Sequence, residues 1–124
     1  MKKIVLAALL ASSVGLATAA SAQVAGDWVL APWQGGEGLY PGVVQSRHGN
    51  SVNVRFDDGS VASVPAARLR TYDWRVGTNV VCKWTDGNWY AARITAMGSD
   101  EVSIDVVYED GVRQRTNTGR CRSN

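Results

Sequence analysis

A pattern of about fifty residues occurs twice in this 124-residue chain, and the duplication limits what the chain can fold into. Corresponding positions lie 50 to 52 residues apart, and the spacing changes only in turn-like stretches, where insertions cost little. A unit of that length forms at most one small domain. The sequence therefore predicts two similar domains in tandem. The matching segments are 29–33 with 80–84, 39–44 with 89–94, 54–59 with 106–111, and 67–70 with 119–122.

Each copy has the residue pattern of short β-strands joined by tight turns. Apolar residues alternate along 29–33 and again along 52–56, which is the period of half-buried strands. The Asp-Gly pairs at 58–59 and 110–111 favour turns that need a positive φ. Apart from a short turn expected at 65–68, no mature segment has a helical period. Four or five strands in each copy predict an all-β chain of two SH3-like bent antiparallel barrels.

The first 22 residues have the composition of an export signal. Two lysines precede an apolar stretch over 4–16, and small residues at 20–22 favour cleavage after Ala22. We therefore expect a signal-peptide helix over 1–22 and a mature chain in the bacterial periplasm or secreted, with no membrane contact after cleavage. A membrane anchor is the alternative, but the apolar stretch is short and contains polar residues.

The leader and the two copies divide the chain into four expected parts. They are a signal peptide at 1–22, a first barrel at 23–70, a linker at 71–76 and a second barrel at 77–124. A linker of about six residues holds two barrels side by side.

Charge and residue counts disfavour two classes of site. The chain carries a formal net charge of +2, which falls to zero when Lys2 and Lys3 leave with the leader. A neutral chain is a poor candidate for binding phosphates, so no nucleic-acid partner is expected. One histidine and two cysteines cannot supply a four-ligand Cys/His zinc site, and no metal or cofactor is expected.

The sequence contains no pattern typical of an enzyme active site. His48 lies in a predicted turn without a neighbouring nucleophile, and the carboxylates at 57–58 and 109–110 point in different directions because each pair is adjacent. We therefore expect no catalytic residues. One local basic cluster is expected to form a solvated or self-paired face. Its members are Arg113, Arg115, Arg120 and Arg122.

Both copies resemble Tudor domains, members of the royal superfamily of SH3-like barrels. The resemblance rests on a V-x-A-x-W segment at 29–33, a Y-P-G-x-V segment at 40–44 and an F-D-D-G segment at 56–59. In the second copy the corresponding segments begin at Val80, Trp89 and Tyr108. The resemblance covers nearly the whole mature chain and implies a tandem Tudor fold.

Tudor domains that read methyllysine surround the ammonium group with aromatic rings and one carboxylate. Each ring face contributes about 0.5–2 kcal/mol through cation–π attraction. The resemblance implies one such cage in each copy. The implied residues are Trp33, Tyr40, Phe56 and Asp58 in the first copy, and Trp84, Tyr90, Tyr108 and Asp110 in the second.

Neither implied cage is complete, because Ser60 and Val112 occupy the position of a further ring in many cages. The alternative interpretation is that these aromatic side chains cap a small core. In that case Asp58 and Asp110 serve only their Asp-Gly turns.

Three further tryptophans lie outside the implied cages. Trp28 lies on the opposite strand face from Val29, Ala31 and Trp33. Trp89 faces away from Tyr90, and Trp74 is in the linker. They are expected either to pack the barrels together or to form an exposed partner-binding patch. For Trp74 we expect packing, because a short linker needs an anchor.

The repeat also predicts a disulfide. Cys82 occupies the position of Ala31, and Cys121 that of Leu69. The last segment of an SH3-like barrel returns beside its first strand, so each pair is expected to be in contact. An oxidising compartment favours a Cys82–Cys121 bond over the alternative of two buried thiols.

Taken together, these patterns predict a secreted or periplasmic non-enzymatic binding module. The expected partner is a protein or peptide with a methylated Lys or Arg or another cationic group. The alternative is a structural or envelope protein-interaction module that binds no methylated ligand. The sequence does not indicate the oligomeric state.

Overall fold

The computed structural model describes residues 23–33 and 36–124, and this part of the chain is almost entirely β-structure. Ten strands form two five-stranded antiparallel sheets. Two single-turn 3-10 helices, at Ala66–Arg68 and Thr118–Arg120, precede the last strand of each sheet. The strands are β1 Trp28–Pro32, β2 Leu39–His48, β3 Ser51–Phe56, β4 Val61–Pro65, β5 Arg70–Thr71, β6 Asn79–Lys83, β7 Trp89–Met97, β8 Ser103–Tyr108, β9 Arg113–Asn117 and β10 Cys121–Arg122.

The two sheets have the same strand order, which confirms two tandem SH3-like barrels. The first runs β4-β3-β2-β1-β5 and the second β9-β8-β7-β6-β10. The long strands bend at equivalent places, because the pairing shifts between Val44 and Ser46 in β2 and between Ile94 and Ala96 in β7. A bulge of this kind increases the local twist and lets a short sheet curl around its own core.

Two expectations from the sequence lie outside the described residues. The signal-peptide helix over 1–22 is one, and two residues of the first Gly-rich turn, Gln34 and Gly35, are the other. Within the described ranges, no helix has the length and apolar character needed to cross a membrane.

Each barrel has a core formed by the inward-facing residues of its alternating strands. In the first barrel Val52, Val54 and Phe56 of β3 are buried, and in the second Ile104 and Val106 of β8 are buried. The intervening residues on both strands are more exposed. The period of two in the sequence thus places the apolar face of each strand inside its barrel.

Strand β1 contributes to both cores. Val29 and Ala31 pack into the first core, whereas Leu30, which points the other way, belongs to the second core and is fully buried there. The linker continues this contact, because Tyr72 and Trp74 are also buried in the second core. The two barrels are therefore packed together through a continuous apolar contact.

The end of the chain is hydrogen-bonded to the first barrel. Ser123 and Leu39 exchange two backbone hydrogen bonds of 2.8 Å each, and Trp74 Nε1 donates to Ser123 Oγ at 2.7 Å. Gly38 permits this approach, since its φ is +78° and a Cβ there would lie 2.4 Å from the Ser123 carbonyl oxygen. Trp74 thus has the packing role expected from the linker length.

The structure contains the disulfide that the repeat predicts. Cys121 pairs with Cys82 across β10 and β6, and the two residues are fully buried. At the equivalent place in the first barrel, Ala31 and Leu69 are both buried in the core. A covalent bond in the second copy thus corresponds to an apolar contact in the first.

Replacing Glu101 with glycine is expected to stabilise the protein by about 0.5–1 kcal/mol. Glu101 has a φ of +69°, in the left-handed region, and its counterpart in the first copy is Gly49 with a φ of +62°. Chemical denaturation of Glu101→Gly measures the gain. Glu101→Ala is the matched control, because it removes the charge but leaves a Cβ in the same conformation. Equal stability of the two variants would contradict the strain argument.

Candidate functional site

The four residues proposed for the first cage line one groove between the barrels. Trp33 follows β1, Tyr40 lies near the start of β2, Phe56 ends β3, and Asp58 lies in the turn to β4. The groove has a volume of about 330 Å³. Its lining residues are Trp33, Tyr40, Pro41, Phe56, Asp57 and Asp58 from the first barrel, with Lys83, Trp89, Thr118, Gly119 and Arg120 from the second.

The aromatic rings of this groove pack edge to face. Trp33 and Phe56 have ring centroids 5.1 Å apart at an interplanar angle of 81°, and Tyr40 and Trp89 are 6.0 Å apart at 88°. Phe56 is buried, whereas Trp33, Tyr40 and Trp89 are half-buried. Such perpendicular contacts hold the rings in fixed orientations. Three of the rings therefore keep part of their surface accessible.

The two aspartates of the groove have different hydrogen-bond partners. Asp58 Oδ1 accepts from the backbone N–H of Ser60 at 2.9 Å and from its hydroxyl at 2.5 Å. Asp57 Oδ2 accepts from the hydroxyl of Thr118 of the second barrel at 2.5 Å. Asp58 is exposed, so its carboxylate serves the turn and still carries a negative charge at the groove.

The second barrel supplies the opposite wall, with one ring and two cations. Lys83 Nζ lies 5.7 Å from the ring centroid of Trp89, and Arg120 is exposed. Neither cation forms a salt bridge with any residue in 23–33 or 36–124. The groove thus has aromatic rings and carboxylates on one side and positive charge on the other.

Arg122 is a contact residue between the barrels, a role that the expected solvated or self-paired basic face did not include. Its guanidinium lies 4.6 Å from the Trp89 ring centroid and donates to Tyr40 hydroxyl at 3.2 Å and to Glu37 at 3.3 Å. Its side chain is only 14% exposed. The repeat gave no signal for this role, because Glu37 and Tyr40 belong to the other copy.

The rest of that cluster is divided between pairing and exposure. Arg115 forms a bidentate contact with Asp105, at 2.7 and 3.1 Å. This contact lowers the pKa of Asp105 and raises that of Arg115. Arg113 is exposed. Of the four arginines, Arg115 and Arg122 are therefore paired with carboxylates, and Arg113 and Arg120 are exposed.

The three rings proposed for the second cage form a cluster around Tyr108. Trp84 and Tyr90 each contact Tyr108 edge to face, with centroids 5.4 and 6.4 Å away. Tyr108 is buried and its hydroxyl donates to Gln114 Oε1 at 2.5 Å. Burial raises the pKa of Tyr108. Tyr90 is 43% exposed, so one ring of this cluster is open to solvent.

The carboxylate beside these rings belongs to Asp86, which sequence reasoning missed. Asp86 Oδ2 accepts from the Tyr90 hydroxyl at 2.6 Å, a bond that lowers the pKa of Asp86 and raises that of Tyr90. Asp110, the residue proposed for this role, accepts from Val112 N–H at 3.0 Å within its turn. The Thr85-to-Asn88 turn was the available signal, since its acidic residue precedes Tyr90 by four positions.

His, Cys, Asp and Glu do not gather in groups of three or more that suit a metal ion anywhere in the described ranges.

A further carboxylate network, outside the groove, is at Asp100. It accepts from the hydroxyl and backbone of Ser103 and from Val102 N–H, and these bonds lower its pKa to about 2. This network orders the turn between β7 and β8.

No protein-family model matches the chain, and no curated protein matches it significantly. Among solved structures, the chain is similar to one described as the crystal structure of Arabidopsis thaliana AGDP1 AGD34. The two are 16% identical, with 87% of this chain and 86% of that chain covered, at a TM-score of 0.39.

Proposed function

We propose that the protein is a non-enzymatic tandem Tudor-like binding module. Its ligand is a methylated lysine or arginine side chain, or another cationic group of a peptide, held in the groove between the barrels. The observation that carries the proposal is the convergence of Trp33, Tyr40, Phe56 and Asp58 on one groove. These residues are separated in sequence, and rings with a carboxylate are what a methylated ammonium group requires.

The first cage is the stronger of the two candidates. Its rings line a groove, whereas in the second cluster Tyr108 is enclosed by Trp84 and Tyr90 and hydrogen-bonded to Gln114. Asp58 also keeps an exposed carboxylate, while Asp86 is engaged with Tyr90. With few ring faces available, we expect a dissociation constant on the order of 0.1–1 mM.

Replacing Asp58 with asparagine is expected to weaken binding of a trimethyllysine peptide three- to tenfold, because the substitution removes the charge and keeps the turn acceptor. Asp110→Asn is the matched control, since Asp110 accepts the equivalent turn N–H in the second barrel. The measurement is a nuclear magnetic resonance titration of chain 23–124 with trimethyllysine, dimethylarginine and unmodified peptides.

The same titration locates the ligand. Shifts at the Trp33 and Trp89 indole N–H groups and at Tyr40 support the proposal, and equal effects of the two asparagine variants contradict it. Shifts confined to Trp84 and Tyr90 would transfer the site to the second cluster. No response up to millimolar peptide would exclude methyl-ligand binding.

The second candidate function is a structural or envelope protein-interaction module. One observation favours it: Tyr40 and Trp89 already hold a cation, because the Arg122 guanidinium lies against them. In that case the rings join the barrels, and partners bind elsewhere on the surface. A silent peptide titration together with a destabilised Trp89→Ala variant would support this function.

We also propose that the chain is exported, that its leader is then removed, and that the mature chain has the domain organisation expected from the sequence. The proposed parts are a cleaved leader at 1–22, barrels at 23–70 and 77–124, and a linker at 71–76. A buried disulfide supports this placement, because such bonds persist in oxidising compartments. Mass determination of the protein purified from culture medium or periplasm tests the cleavage after Ala22.

A further inference from the structure

We infer that the groove selects a small zwitterion that carries a methylated ammonium and an anionic group a few bonds apart, the chemistry of phosphocholine and of betaines. The inference rests on the proposed function, since it uses the same aromatic wall, and it adds an anion-binding pole on the opposite wall.

The charges of the groove are separated by barrel. Asp57 and Asp58 line it from the first barrel, and Lys83 and Arg120 line it from the second. Asp57 accepts a hydrogen bond from Thr118, whereas over the described ranges Asp58, Lys83 and Arg120 form no salt bridge. Opposite charges that line one groove without pairing leave both poles available to a ligand. A simple cation would gain from Asp58 but would be repelled by the two cations.

The third cation near the groove is already engaged. Arg122 contacts the Trp89 ring, the Tyr40 hydroxyl and the Glu37 carboxylate, and its side chain is mostly buried. Lys83 Nζ lies 5.7 Å from the Trp89 ring centroid, and Arg120 is exposed. The anionic end of a ligand would therefore meet Lys83 and Arg120.

The turn that holds Asp58 lies against the segment that holds Arg120. The backbone of Gly119, which precedes Arg120, packs against the turn that holds Asp58, because a Cβ on Gly119 would lie 3.0 Å from the Asp58 nitrogen. The groove volume of about 330 Å³ is at the lower end of the range for small-molecule sites. Both features fit a compact zwitterion better than a long ligand.

Calorimetric titration of chain 23–124 at low salt tests the inference with four probes. They are choline, phosphocholine, glycine betaine and 3,3-dimethylbutyl phosphate, in which carbon replaces the quaternary nitrogen. Phosphocholine is expected to bind at least tenfold more tightly than choline. The carbon analogue is expected to bind at least tenfold more weakly than phosphocholine, because it offers the aromatic wall no positive charge.

Removing the cationic pole is expected to abolish the preference for the zwitterion. Lys83→Gln combined with Arg120→Gln should reduce phosphocholine affinity to that of choline and should strengthen choline binding, because the repulsion by the two cations is removed. Arg113→Gln is the matched control, because Arg113 is exposed on β9 and does not line the groove. The thermal midpoint of each variant establishes that it is folded.

The outcomes separate this inference from the proposed function. Equal binding of choline and phosphocholine, or binding of a methyllysine peptide alone, overturns the inference and leaves the proposed function standing. Equal binding of phosphocholine and its carbon analogue indicates an anion site and overturns the inference, and the peptide titration then decides the proposed function. If none of the probes and none of the peptides binds, both the inference and the proposed function are overturned.

Vesicles distinguish the two sources of the ligand. If phosphatidylcholine vesicles sediment the protein and phosphatidylglycerol vesicles do not, the ligand is a lipid headgroup. If free phosphocholine or betaine binds and neither kind of vesicle sediments the protein, the ligand is a soluble zwitterion.

Discussion

Replacing Trp74 with alanine is expected to lower the free energy of unfolding by about 3–5 kcal/mol. Trp74 is 4% exposed, packs in the second core beside Tyr72 and donates to Ser123 Oγ. The substitution removes apolar contacts and also leaves the Ser123 hydroxyl without its donor. Urea denaturation followed by far-ultraviolet circular dichroism measures the loss. We expect it as a lower urea concentration at the midpoint of unfolding.

Two further variants separate the parts of this effect. Trp74→Phe keeps most of the apolar volume and removes the hydrogen-bond donor. We therefore expect it to lower the free energy of unfolding by about 1–2 kcal/mol. Trp33→Ala is the comparison at the groove, where the ring is only half-buried and the expected cost is smaller. If Trp74→Ala lowered the free energy of unfolding no more than Trp33→Ala does, the linker would not be the anchor between the barrels.

Removing the disulfide is expected to have the second-largest effect. The bond joins residues 39 positions apart, and the loop-entropy relation for that length gives about 3–4 kcal/mol. Cys82→Ala combined with Cys121→Ala should show this loss in the same denaturation experiment. Reduced wild-type protein is the control, because it lacks the bond and retains both side chains.

The first copy supplies a second control for the disulfide. Cys82→Ala combined with Cys121→Leu reproduces the Ala31 and Leu69 pair of the first barrel. This variant is expected to recover about 1–2 kcal/mol relative to the double alanine variant, because leucine restores buried apolar area. Equal stability of oxidised and reduced wild-type protein would contradict the constraint attributed to the bond.

The fold could be predicted from the repeat because the strands and turns of each barrel are specified by local residue patterns. Alternation along 29–33 and 52–56 and the Asp-Gly turns specify strands and joints within one copy, and the second copy repeats them. The backbone follows the repeat in detail: Gly26 and Gly77 have φ of +97°, and Gly59 and Gly111 have +94° and +89°. Copies with the same pattern form the same sheet.

The groove was only half predictable, because its second wall comes from the docking of the barrels. The resemblance to Tudor domains implied Trp33, Tyr40 and Phe56 as one set. It gave no reason to place Lys83 or Arg120 opposite them, since those contacts depend on how one barrel lies against the other. Leu30 shows the difficulty, because it lies on the face of β1 opposite Val29 and Ala31, and that face packs into the second core.

Strand β1 has a consequence for how the molecule evolves. Leu30 fills the neighbouring core, whereas its counterpart Val81 in β6 is only half-buried. The duplicated units are therefore no longer interchangeable. Exchanging their order would place a valine where a leucine now packs into the neighbouring core. In repeat arrays, each unit contacts only its neighbours. In this pair the first unit has become specialised to the second, because a side chain of its own first strand completes the core of that neighbour.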